Sequence, residues 1–302
     1  MRVIITGGSG LIGRALARDL GEAGHDIVVL TRDPDRAGRL PPGVRAAKWD
    51  GKTAQGWSAL LDADTAIVHL AGESIAEGRW TAEKKRRIRD SRVVSGQAVM
   101  DAIREAQARP RVLIQSSAVG YYGPHGDEVI SEEAPPGRDF LAGICKEWEA
   151  STVEAEELGV RRALARTGIV LARGGGALPV MSLPFKMMIG GPIGDGRQWV
   201  PWIHLEDEVG ALRFLLERED AHGPFNLTAP HPVTNRELTR ALARTLGRPG
   251  FLPAPGFALR IALGEMAGMV LQGQRAVPSR LREMGFTFRW PELEPALRNL
   301  LD

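Results

Sequence analysis

Cysteine is almost missing. Cys145 is the only one in 302 residues, so no internal disulfide can form and a reducing compartment is expected. Tyrosine is nearly as scarce, with Tyr121 and Tyr122 alone, which restricts where a phenol could serve as an acid. No apolar run is long enough to span a bilayer; the most apolar late stretch, 257–271, is broken by Arg260 and Glu265. No basic segment with a following apolar stretch opens the chain, so no secretory signal is expected. An excess of one charge is lacking too. Lys and Arg total 39 against 37 Asp and Glu, a net charge of +2, which gives no electrostatic case for nucleic acid or an anionic membrane as partner. Six scattered histidines and one cysteine show no ligand spacing, so no metal is expected. The rest is ordinary: 43% hydrophobic and 25% charged, as in a soluble, cytoplasmic, globular protein with a sizeable core. Composition does not set an oligomeric state.

The first 170 residues alternate between strand and helix patterns. RVIIT (2–6) is a short apolar run ending in glycines, and Leu11, Ile12, Ala15, Leu16 and Leu20 then recur at helical spacing. Further apolar runs at 26–30, 65–70 and 111–115 read as strands, with one long crossover helix over 81–108. A helix over 139–158 and a strand ending near Arg166 follow. This rhythm predicts an α/β fold: a Rossmann-type doubly wound parallel sheet with a smaller C-terminal lobe over its carboxyl edge. Glycines at 174–176 and 190–196 predict long loops rather than regular elements. Helices are expected over 206–217, from a Thr234–Glu237 capping box, over 257–271, and through Leu301. Phe286, Phe288 and Trp290 alternate, as in a strand with one buried face. The expected division is a cofactor domain over 1–230, mixed in character over 170–230, and a small domain over 231–302 packed on it.

Gly7-Gly8-Ser9-Gly10-Leu11-Ile12-Gly13 lies between the first strand and the first helix. There the early glycine permits the tight turn, Gly10 admits a pyrophosphate to the backbone, and Gly13 packs helix on strand. The helix N-terminus adds free N–H groups and a partial positive charge. A ligand-free glycine turn is the bland reading; position after a strand and before a helix favours the dinucleotide loop. The second strand ends Thr31-Arg32, with no acid at its tip to accept the adenosine ribose hydroxyls. Arg32 can pair with a 2′-phosphate, with Thr31 assisting, so NADP(H) is preferred over a merely solvated arginine.

The segments 6–13 (TGGSGLIG), 69–72 (HLAG), 116–123 (SSAVGYYG) and 202–207 (WIHLED) resemble an extended short-chain dehydrogenase/reductase. The chain is more closely similar to an atypical branch, a sugar-nucleotide epimerase family ending in a small C-terminal domain of unknown function. Its marks are CKEWE (145–149), RTGIVL (166–171), GGPIG (190–194), GQRAVP (273–278) and GFTF (285–288). The resemblance spans the whole chain. It implies NADP(H) as cofactor and a cofactor shell of Gly7, Gly10, Leu11, Ile12, Gly13, Thr31, Arg32, Leu70, Ala71, Arg92 and Val170. Arg92 reads equally as one more solvated arginine beside Arg86, Arg87 and Arg89.

The superfamily pattern Tyr-x-x-x-Lys is absent. Counting back from Lys146 gives Ala142; if Glu149 sets the register, the pair falls on Leu141 and Cys145. The phenol whose acidity the lysine would tune is missing either way. Substitutes are Ser116 and Ser117 at a strand end, Tyr122 and Lys146, each with a structural alternative: strand-end cap for the serines, packed aromatic for Tyr122. Cys145 is either a reactive thiol or a buried helix residue. Arg197, in the loop resembling a substrate segment, and His204 are the expected substrate contacts, His204 alternatively capping a helix. The expected function is an NADP(H)-dependent oxidoreductase or epimerase-like protein acting on a small polar, nucleotide-linked molecule. The alternative is an NADPH-binding sensor or scaffold without catalysis.

Overall fold

A computed structural model describes residues 1–34 and 40–302. Its centre is a seven-stranded sheet built from β1 (Arg2–Thr6), β2 (Asp26–Thr31), β3 (Arg45–Lys48), β4 (Thr65–His69), β5 (Val112–Ala118), β6 (Arg161–Thr167) and, after an excursion, β10 (Gly223–Leu227). The spatial order is β10-β6-β5-β4-β1-β2-β3, and every neighbouring pair is parallel. Strand order reverses between β1 and β4, and the crevice at such a reversal is where doubly wound sheets take ligands.

Helices cover both faces. The first, α1 (Leu11–Glu22), buries Leu16, Ala17 and Leu20 against β1 and β2, and α2 (Ala82–Glu105) buries Val99 and Ile103 on the other face. Thr81 caps α2 by accepting the Lys84 N–H at 3.1 Å. Gly96 lets α2 touch the chain after α3 (Phe140–Ala150); a Cβ there would stand 2.0 Å from the Ser151 hydroxyl.

The expected helix over 139–158 is interrupted. It stops at Ala150 and resumes only as a turn at Glu154–Glu157, because Thr152 turns inward to donate to Gln115 and accept from Arg162. The glycines at 174–176 are not simply loop. Here β7 (Ile169–Ala172) pairs antiparallel with β8 (Gly175–Gly176) and parallel with β9 (Trp202–His204), and α4 (Ala177–Lys186) follows despite its internal Pro184. The loop over 190–196 stands as expected. Next come α5 (Leu205–Glu217) and α6 (Asn235–Leu246), the latter with its Thr234–Glu237 capping box formed.

The apolar stretch 257–271 is also not one helix. It divides into α7 (Gly256–Leu263), a 3-10 turn and a last turn at Gly268–Leu271, broken at Gly264, whose φ is +62°. No side chain of α7 is buried. This strap is tied to the sheet domain by Arg79, which donates to the Ile261 and Ala262 carbonyls at 2.9 and 3.1 Å, and by the Lys85–Glu265 ion pair. Phe286, Phe288 and Trp290 form no strand; Phe286 and Phe288 meet edge to face at 4.8 Å and pack on the main core instead. A closing helix, α8 (Leu293–Leu301), joins α4, α6 and Trp202 in a further core.

Candidate active site

The glycine loop forms one wall of the crevice. Gly7 adopts φ +68°, and a Cβ on it would meet the Leu70 carbonyl at 2.8 Å, so the turn after β1 and the chain after β4 touch directly. Gly13 is equally constrained, with Gly8 at 2.5 Å from where its Cβ would stand. The N-cap of α1 is Gly10, which supplies no side-chain cap, and the first turn carries no acid. Its leading N–H groups have no helical acceptor and are suited to an anion. Leu11 packs against Gly175, Ile12 against the core, and Val170 pairs with Ile203 in β7.

A chain of hydrogen bonds fixes the facing loop. The Ala71 N–H donates to Thr6 Oγ1 at 3.2 Å. Ser95 donates its own proton to the Ser91 carbonyl, which leaves the proton of the neutral ring on His69 Nε2, facing Ser95 Oγ at 3.3 Å, and Nδ1 accepts from Thr6 at 2.7 Å. Burial, with the charge of Arg92 second, lowers the His69 pKa to about 4, so the ring is neutral. At the edge of β2 Arg32 is exposed, and Thr31 Oγ1 accepts the Asp33 N–H at 3.4 Å.

Beyond the crevice lies a cavity of about 440 Å³ between the carboxyl ends of β5 and β6, α3 and the strap. Its walls are mainly apolar, with Trp80, Phe140, Leu141, Ile144 and Met269 among them. Leu141 and Cys145 line it, whereas Ala142 is buried and Lys146 exposed. The register set by Glu149 therefore faces the cavity, and both positions of the missing pair are apolar. Burial, with Glu149 next, pushes the Cys145 thiol up to about 12, so it is no thiolate. Arg92 is turned inward rather than solvated. It donates to the Glu73 and Ile88 carbonyls and lies 5.0 Å from the Trp148 ring, beside Cys145.

Several expected site residues lie elsewhere. Ser116 is half-buried without lining the cavity. Ser117 donates to Glu149 at 2.7 Å, and Glu149 holds Arg166 through two 2.9 Å bonds. Arg166 donates to the Tyr122 hydroxyl, which donates to Asn226 at 2.6 Å; burial pushes that phenol up to about 12. Ser117 and Tyr122 thus belong to a buried network that anchors α3 to β5 and β6. Arg197 is exposed, and it is its neighbour Gln198 that reaches the cavity. His204 accepts the Glu206 N–H at 3.0 Å as the N-cap of α5 and stacks on Trp290. Among the described residues no group of His, Cys, Asp and Glu could hold a metal ion.

Two residues were missed. Thr167 ends β6 in register with Ala118 and lines the cavity, and its hydroxyl meets Glu208 at 2.7 Å. Glu208 is fully buried, and burial raises its pKa to about 8. The signal was legible: Leu205, Glu208, Leu212 and Leu215 follow helical spacing, so this carboxyl falls on an apolar face.

Comparison with known proteins supplies the wider context. Residues 3–228 match the NAD dependent epimerase/dehydratase family, and residues 254–300 match a domain of unknown function. The chain is 41% identical, over all of its length and 87% of the relative's, to the chloroplastic "Epimerase family protein SDR39U1 homolog" of Arabidopsis thaliana. It is 38% identical to "Epimerase family protein YfhF" of Bacillus subtilis, over 100% of this chain and 98% of that one. Among solved structures, human epimerase family protein SDR39U1 with NADPH superposes with a TM-score of 0.89 at 35% identity, covering 99% of both chains. MoeE5, in complex with UDP-glucose and NAD, shares the fold at 20% identity with a TM-score of 0.77, covering 99% of this chain and 97% of that one. The parallel sheet, the glycine turn at its reversal point and these matches have one reading: the chain belongs to the NAD dependent epimerase/dehydratase family.

Proposed function

We propose that the chain is an NADP(H)-dependent oxidoreductase that exchanges hydride with an uncharged, largely apolar small molecule held in the cavity. The carrying observation is the uncapped, acid-free glycine turn of α1 at the reversal point of a sheet whose β5 and β6 end, at their carboxyl edge, in a cavity with mainly apolar walls. The residues fit a dinucleotide diphosphate: the first-turn N–H groups receive it, and Arg32 stands where NAD-specific relatives of this fold carry an acid. The bound nicotinamide supplies or accepts the hydride. Leu70 and Ala71 would line the adenosine, and Arg92 brings a cation next to Cys145, at the position where a lysine would otherwise stand.

A nucleotide-linked substrate is not favoured by these walls. Among the described residues Arg92 is the one cationic side chain lining the cavity, where Asp139 and Glu265 also lie. With Glu265 paired to Lys85, Arg92 is offset by Asp139, and a diphosphate would meet no excess of positive charge there. A second reading, an NADPH-binding protein without turnover, draws on the apolar Leu141 and Cys145.

Binding measurements on the wild type and Arg32→Asp address the cofactor. The wild type should bind NADPH more tightly than NADH, and Arg32→Asp should erase or reverse the preference. Equal wild-type affinities would refute the role given to Arg32. Oxidation of NADPH by an acceptor panel of quinones, aldehydes and sugars separates enzyme from sensor.

A further inference from the structure

We propose that Thr167 and Glu208 form a proton relay into the cavity, standing in for the phenol that the chain lacks. This inference rests on the oxidoreductase reading. Thr167 occupies the end of β6 directly beside Ala118 at the end of β5, and both line the cavity. Among the described residues its hydroxyl has one hydrogen-bond partner, Glu208 Oε1 at 2.7 Å. Glu208 is 1% exposed, and its Oε2 is buried with no hydrogen-bond partner among the described residues. An ionised carboxylate in such a place would be costly, and the protonated acid is the form that suits it.

No charge from the elements packed around it relieves the burial. On its own helix, Glu206 pairs with Arg289 and Asp207 accepts the Arg289 and Trp290 N–H groups. On β6, Arg166 is held by Glu149, Arg162 by Glu156, and Arg161 by the Leu215, Leu216 and Ala221 carbonyls. On α1, Asp19 pairs with Arg213, Arg14 is half-buried, and Arg18 and Glu22 face outward. In β9, His204 is engaged with Glu206 and Asn299, and β5 and β7 carry no titratable side chain. The titration of Glu208 is set by burial, which raises its pKa to about 8, against a smaller lowering by Thr167.

In the structure Thr167 donates to Glu208 Oε1 at 2.7 Å; with the carboxyl protonated on that oxygen the bond can run the other way, which would free the threonine proton for a molecule in the cavity. When hydride reaches the carbonyl carbon of an acceptor, the C=O π pair moves onto oxygen. Thr167 gives that oxygen its proton and takes one from Glu208. The products are the alcohol, the oxidised cofactor and the Glu208 carboxylate, which regains its proton from water after release. Thr167 touches the substrate; Glu208 acts only through it.

Two measurements test the relay. Infrared spectra of the cofactor-free protein should show a protonated carboxyl C=O band that fades as pH rises through about 8 and is absent from Glu208→Gln. NADPH oxidation by phenanthrenequinone or benzaldehyde should slow over the same pH range in the wild type. In Glu208→Gln and Thr167→Val it should be lower by roughly 10²-fold near neutrality and nearly independent of pH, with Thr167→Ser restoring most of it. A band that survives in Glu208→Gln, or undiminished oxidation by both Thr167→Val and Glu208→Gln, overturns the relay and leaves the oxidoreductase reading standing. A wild type that binds NADPH yet passes hydride to no acceptor overturns the oxidoreductase reading, and the relay with it, even if the band is present.

Discussion

His69 lies wholly out of solvent between Thr6 and Ser95, and Glu208 lies as deeply beneath Thr167. Their shifts act on stability in opposite senses. The unfolded His69 binds its proton from about pH 6.5 downward while the folded ring resists it to about pH 4, so this residue weakens the fold as pH falls through that window. Folded Glu208 keeps its proton up to about pH 8, whereas the unfolded carboxyl releases it near 4.5, so this residue weakens the fold as pH rises between those values. Above pH 6.5 the histidine no longer contributes, leaving the carboxyl alone of the two. Urea midpoints of the wild type should therefore decline from pH 6.5 to 8, and Glu208→Gln should remove most of that decline. A variant with an unchanged slope would show that Glu208 ionises normally.

At the scale of elements, the crossing of α2 with the end of α3 depends on having no side chain at Gly96, where the Ser151 Oγ occupies the space. Gly96→Ala should push the two apart and cost about 1–3 kcal/mol, read as a drop in thermal midpoint. Thr234→Ala removes the side-chain half of the α6 capping box, leaving the backbone N–H of residue 234 on Glu237, and should cost about 0.5–2 kcal/mol. Both should leave cofactor preference alone. The capping box, the glycine turn and the buried face of α1 were legible in the sequence because each is a local pattern in consecutive residues. The break after Ala150 was not, since it arises from Thr152 reaching Gln115 on a strand far away in the chain. The register of α3 was legible only as two alternatives. Deciding between them takes the sight of Glu149 clamped to Arg166, a contact made by folding. Arg197 lies outside the cavity wall for a related reason: the loop was recognisable, but which of two adjacent side chains turns inward depends on the strap, whose Val270 carbonyl accepts from Gln198.

Over the whole molecule, residues beyond 230 complete two cores. Leu238, Leu242, Leu297 and Leu300 cover Leu171 and Trp202, while Leu281 joins the core under the sheet. A fragment ending at residue 230 should lose the cooperative thermal transition, since Trp202, now fully enclosed, would face water. A fragment as stable as the full chain would mark residues 231–302 as a separate module. The strap over the cavity stands in contrast to this packing: no side chain of α7 is fully buried, and the strap is held by Arg79 on two carbonyls, Gln198 on the Val270 carbonyl, the buried Ala267 and the exposed Lys85–Glu265 pair. Exposed pairs of this kind contribute at most about 1 kcal/mol, and segments so lightly held move on the order of microseconds to milliseconds. Traffic through the cavity should accordingly be quick in both directions. Lys85→Ala or added salt should raise entry and exit rates together and barely alter occupancy at equilibrium. A guest that leaves within milliseconds has little time for a slow reaction, so the selectivity of this protein would lie in which molecules accept hydride promptly rather than in which ones fit.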